Sequence, residues 1–96
     1  MAISNDANPP SAPHRKLVSP DRLLRLLNQR LAGYGHCHAC SFVGPIRRLD
    51  EPADDGRNWS RFIALVCTTG VVSGCTRLAE RIVDDAAREY NLWDAA

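Results

Sequence analysis

Two stretches of apolar residues at helical spacing, one on each side of a cysteine-bearing middle, leave this chain few folds. In the second half, Leu78, Ile82, Val83, Ala86, Ala87 and Tyr90 recur every three or four positions. That spacing predicts an amphipathic helix capped by Ser73 and ending near Asn91, with Leu92 and Trp93 turned back onto the core. The opposite face carries Arg77, Glu80, Arg81, Asp84, Asp85, Arg88 and Glu89. Residues four apart there, Arg81 with Asp85 and Asp84 with Arg88, predict weak surface pairs. In the first half, Leu23, Leu27 and Leu31 recur every four residues and Leu24 and Leu26 widen the stripe. Ser19 is placed to cap this helix, Pro20 suits its first position, and Asp21 complements the positive end. Gly33 and Gly35 predict its end in a left-handed termination.

Between the helices the period changes. Ser41 to Leu49 carries Phe42, Val43, Ile46 and Leu49, and Arg61 to Thr69 carries Phe62, Ile63, Leu65, Val66 and Cys67. Both lengths suit strands. The stretch Asp50–Asn58, with Pro52, Asp54, Asp55, Gly56 and Asn58, supplies turn formers and is expected to be a mobile loop. Pro45 predicts an edge position or a bulge in the first strand. The expected fold is therefore α+β in α-β-β-α order, two helices packed on one face of a small antiparallel hairpin sheet. Residues 1–18, with Pro9, Pro10 and Pro13, read as a flexible N-terminal tail, and residues 19–96 as a single small domain.

Size and composition narrow the function. A chain of 96 residues with 24% charged residues and a formal charge of +1 has no strong overall field. Its longest apolar run, Phe62 to Cys67, is far short of a membrane span, so no membrane association is expected. Met1 to Pro13 has neither a basic start nor an apolar stretch, so a signal peptide is not expected and a cytoplasmic location is.

A two-stranded sheet under two short helices is marginal in water, so something should reinforce it. The four cysteines are the obvious candidates. Cys37 and Cys40 form a C-x2-C pair beside His36 and His38, and in a cytoplasmic chain such thiols stay reduced. If the hairpin reverses near residues 54 and 55, Phe42 faces Cys67, and all four cysteines gather at its open end. Cys40 and Cys67 share a face only if the register has the right parity. Three readings follow. Cys37 and Cys40, with Cys67, Cys75, His36 or His38, form a tetrahedral zinc site. Alternatively, Cys37 and Cys40 exchange with a disulfide as a redox pair. In the third, Cys67 and Cys75 are small core residues and the C-x2-C is incidental.

Charge is unevenly placed. Residues 1–49 hold seven basic groups against two acidic ones, and residues 50–96 hold five against nine. Arg22, Arg25, Arg30, Arg47 and Arg48 are thus a candidate patch for phosphate or an acidic partner. Catalytic motifs are missing: there is no glycine-rich phosphate loop, no G-x-S-x-G, and the Asp50, Glu51, Asp54, Asp55 cluster lies in a solvated turn. The expectation is a non-catalytic binding, accessory or regulatory protein. Its partner would be another protein, with nucleic acid as an alternative and a homodimer through a strand edge or the leucine stripe as a third. A zinc-stabilised module is the second reading of its function and a thiol redox protein the third.

Overall fold

A computed structural model describes residues 15–37, 39–68 and 74–93, with His36 described in its backbone alone. Ser19 starts the first helix as its residue type dictates: the hydroxyl accepts the Arg22 N–H at 3.1 Å, and Pro20 opens α1, Pro20–Ala32. Leu23, Leu27 and Leu31 line its buried face and have no exposure. Gly33 caps the far end in a right-handed conformation (φ −67°), so the left-handed termination expected there is not used. A short 3-10 turn, Gly35–Cys37, follows. The second helix, α2, spans Cys75–Glu89 and buries Ala79, Ile82, Val83, Ala86 and Ala87. Its cap is Gly74, at a φ of 92° open to glycine, and the expected cap, Ser73, lies outside the described residues. The helix stops at Tyr90, already extended, just before the Asn91 expected to end it.

The order α-β-β-α is incorrect. The chain runs β-α-β-β-α-β, because a strand precedes α1 and another follows α2: β1, Lys16–Val18, and β4, Tyr90–Leu92. They pair in parallel, Lys16 opposite Tyr90 and Val18 opposite Leu92, and the Trp93 N–H extends the ladder to the Val18 carbonyl. Three residues are too few to show an alternating pattern, and the two strands lie at opposite ends of the described chain. Of the tail expected over residues 1–18, residues 1–14 lie outside the described residues and 16–18 form β1. Leu92 is buried as expected, whereas Trp93 is exposed.

The middle is the expected antiparallel hairpin, formed by β2, Cys40–Val43, and β3, Ala64–Cys67. Its register places Cys40 opposite Cys67 and Phe42 opposite Leu65, two residues from the expected pairing but of the parity that puts Cys40 and Cys67 on one face. The same register resumes at the bridge between Arg48 and Trp59, after the ladder lapses around Gly44 and Pro45. Pro45 has no N–H to give, which accounts for the lapse.

The connecting segment is held in place. The Asn58 carboxamide accepts the Leu92 N–H at 2.8 Å and donates to the Leu92 carbonyl at 3.0 Å. Asn91 reciprocates, accepting the Asn58 N–H and donating to the Gly56 carbonyl. Trp59 has no exposure and donates its indole N–H to the Tyr90 carbonyl at 3.0 Å. The segment thus closes the outer edge of β4. Mobility was expected from its turn formers, which say nothing of the side-chain bonds it makes to residues more than thirty positions away.

Candidate functional site

The four cysteines converge, but as two disulfides. Cys37 bonds to Cys75, joining the 3-10 turn to the first residue of α2, and Cys40 bonds to Cys67 across the hairpin. The C-x2-C pair is therefore split between two bonds, which is not the Cys37–Cys40 disulfide of the redox reading. A zinc site needs thiolates, and a sulfur bonded to sulfur is not one. Among the described residues no group of three or more His, Cys, Asp and Glu stands together to hold a metal. His38 and the His36 side chain lie outside them. The bonds supply the reinforcement that this core needs: one ties α2 to the end of α1, the other staples the open end of the hairpin.

The five arginines of the candidate patch divide. Arg30 makes a two-pronged ion pair with Glu89, at 2.9 and 3.0 Å, and lies over the Tyr90 ring. The Glu89 hydrogen bond is the main cause that raises the Arg30 pKa. Arg48 donates to the Trp93 carbonyl. Both serve to hold the C-terminal strand. Arg22 and Arg25 line a shallow hollow on α1 with Leu26 and Gln29, and Arg47 is exposed on the hairpin. On α2 neither expected i,i+4 pair forms: Arg88 turns to Asp85, and Asp84 pairs with Arg61 at 2.7 Å.

The hairpin offers a more distinctive surface. Cys40, Phe42, Leu65 and Cys67 face the helices, while Ser41, Val43, Ala64 and Val66 face outward. Val43 and Val66 are 41% and 48% exposed, and Phe62, just before β3, is 88% exposed. An aromatic ring so fully in water is uncommon beside other exposed apolar groups.

The two edges of the ribbon differ. On the β2 side, the Asn28 carboxamide of α1 accepts the Phe42 N–H at 2.7 Å and donates to the Phe42 carbonyl at 3.0 Å. Those groups therefore point away from β3, which makes Phe42 and Leu65 a non-hydrogen-bonded pair, and the Leu65 N–H and carbonyl point away from β2 in turn. Among the described residues β3 pairs only with β2. Among the described residues, one edge is met at Phe42 by an asparagine and the other is open. From Phe62 to Thr68 the open side carries no charge and no proline, the devices that commonly blunt an edge.

Sequence reasoning placed both Phe62 and Val66 in a strand, where the structure keeps only Val66, and gave neither its outward position; it missed Asn28, Asn58, Asn91 and Trp59. The signal for Asn28 was a polar residue beside Leu27 on the margin of the leucine stripe. The cavities at the start of α2 are open: the larger is lined by Gly74, Thr76, Arg77 and Glu80, and the other shares Gly74 and Arg77 with it and is completed by Tyr34, Leu78 and Arg81. No helix among the described residues is long and apolar enough to cross a membrane. No family model, curated protein or solved structure matches the chain.

Proposed function

We propose that this protein is a disulfide-stapled binding module whose partner is a protein, engaged along the open edge of β3 and the outer face of the hairpin. The observation that carries the reading is the Phe62 side chain, 88% exposed next to a strand with an unpaired edge. Edge and ring act together: main-chain groups of Leu65 give affinity to any extended segment, and the apolar face selects what its side chains carry. The arginines lend less to a nucleic-acid reading, since Arg30 and Arg48 are spent inside the domain. Two disulfides also fit an oxidising compartment better than the cytoplasm expected from sequence.

The test is selection of peptides from a random displayed library, followed by amide exchange on the complex. Selected peptides should protect the Leu65 amide, and Phe62→Asp should abolish binding without changing thermal stability. Protection that appears only on the arginine face of α1, or binding indifferent to Phe62→Asp, overturns the reading. Alkylation of free thiols before lysis checks the compartment, with all four cysteines expected to escape labelling.

A further inference from the structure

Resting on that reading, we infer that the partner at the β3 edge is a second copy of this chain, joined about a two-fold axis at Leu65. The geometry of the edge is self-complementary. Groups pointing outward from β3 belong to alternate residues, Leu65 and its neighbours Ile63 and Cys67. An antiparallel copy centred on Leu65 sets Leu65 against its own mate, and Ile63 against the mate of Cys67. Each of these is then a hydrogen-bonded pair, with no donor facing a donor.

Side chains agree with this register. Ala64 falls opposite the second copy's Val66 on the outer face, and Phe62 lies diagonal to that valine, within reach of an aromatic ring. The ring that water surrounds in one copy then covers the other. Phe62 to Thr68 is uncharged, so the two paired strands themselves bring no like charges together. The nearest arginine, Arg61, is already neutralised by Asp84.

Closure favours two copies over many. Pairing β3 with β3 makes a four-stranded antiparallel sheet whose outer strands are both β2. Each β2 edge is already bonded at Phe42 by its own Asn28 and lies against α1, so a further strand finds its central residue taken and association stops at the dimer. A foreign strand gains no such symmetry: it brings a second edge of its own.

The experiment is sedimentation equilibrium of the full, oxidised chain across micromolar to millimolar concentration. A dimer is expected. Methylating the Leu65 nitrogen, introduced by ligation at Cys67, leaves the monomer's ladder intact because that N–H points outward. It removes both symmetry-related bonds and should raise the dissociation constant about 100-fold, tenfold for each bond. Val66→Lys should also weaken the dimer, and adding Ala64→Glu should restore it, since lysine and glutamate then face each other across the axis. Near-ultraviolet circular dichroism checks that each variant keeps its fold. A chain that stays monomeric at millimolar concentration, yet captures selected peptides at Leu65, overturns the self-partner and leaves the binding surface standing. A monomer that selects no peptide overturns both. A dimer indifferent to methylation at Leu65 overturns the edge as its interface.

Discussion

Asn28 stands to Phe42 as a neighbouring strand would: the carboxamide oxygen takes the peptide N–H at 2.7 Å and the amide nitrogen gives to the carbonyl at 3.0 Å. A side chain on α1 thereby ends the β2 edge and fixes the helix against the hairpin. Asn58 does the same for Leu92 on β4. In both sheets, one outer edge is satisfied by an asparagine from another element rather than by backbone.

Replacing Asn28 should therefore do two things at once. Asn28→Ala leaves the part-buried Phe42 donor and acceptor without their partners, which costs about 1–3 kcal/mol. It should lower the thermal midpoint by roughly 4–8 °C per kcal/mol lost in a domain of this size. It also reopens the second edge, so light scattering should show species larger than a dimer. Asn28→Asp separates donor from acceptor: the N–H keeps its partner, but an ionised oxygen now faces the Phe42 carbonyl. Its deficit should shrink in acid, where the protonated carboxyl donates again.

The connecting segment should prove as important as the helices. Trp59→Phe removes the bond to the Tyr90 carbonyl and should cost about 0.5–1.5 kcal/mol in urea denaturation. Trp59→Ala also empties a fully buried site and should cost about 3–5 kcal/mol. If the segment were a solvated loop, neither change would matter. Asn58→Ala should fall between these, with faster exchange of the Leu92 amide as its local signature.

These residues also mark where the sequence stopped being legible. The helices were readable because a stripe such as Leu23, Leu27, Leu31 repeats a local rule, and Ser19 and Pro20 obey local capping chemistry. Hairpin parity was readable only as a condition: alternation within a strand is local, but the register that sets Cys40 opposite Cys67 joins two strands more than twenty residues apart. The strands β1 and β4 have three residues each and pair across the domain, so neither carries a period. Asn58 looks like a turn former and Asn91 like a helix end; the fold makes the first seal the β4 edge and the second hold the connecting segment against it. The cysteines gave proximity without pairing: convergence at the open end is common to a zinc site and to disulfides, and only the register and the place of Cys75 at the start of α2 decide which sulfur meets which.

The two disulfides should differ in resistance to reduction. Each closes a loop, with separations of 38 and 27 residues, and by chain entropy each contributes about 3–4 kcal/mol. Access differs. Cys37 and Cys75 have no exposure, whereas Cys40 is 6% exposed and its partner Cys67 is only half-buried. Timed reduction with alkylation and mass spectrometry should show the Cys40–Cys67 pair labelled first and the Cys37–Cys75 pair only on unfolding. Serine pairs at either site should lower the thermal midpoint, and both together should leave no cooperative transition.

Acid should expose the turn at Asp55. The Arg57 N–H donates to its carboxylate at 3.0 Å, and this bond is the main cause that holds the Asp55 pKa below its ordinary 3.8. A carboxylate with a lowered folded pKa contributes stability that is present above the unfolded value and lost as pH falls through the folded one. Asp55→Asn keeps an acceptor for the N–H but has no charge to titrate. The wild type should therefore exceed Asp55→Asn in midpoint at neutral pH, and the gap should close below about pH 4, where the unfolded carboxylate begins to bind its proton. The Asp55 side chain is half-exposed, so the gap should be small and should narrow with added salt. Arg30, whose pKa is raised, keeps its charge throughout this window and contributes nothing to the slope. A gap that persists unchanged at pH 2 would mean that Asp55 acts through shape alone and not through its charge.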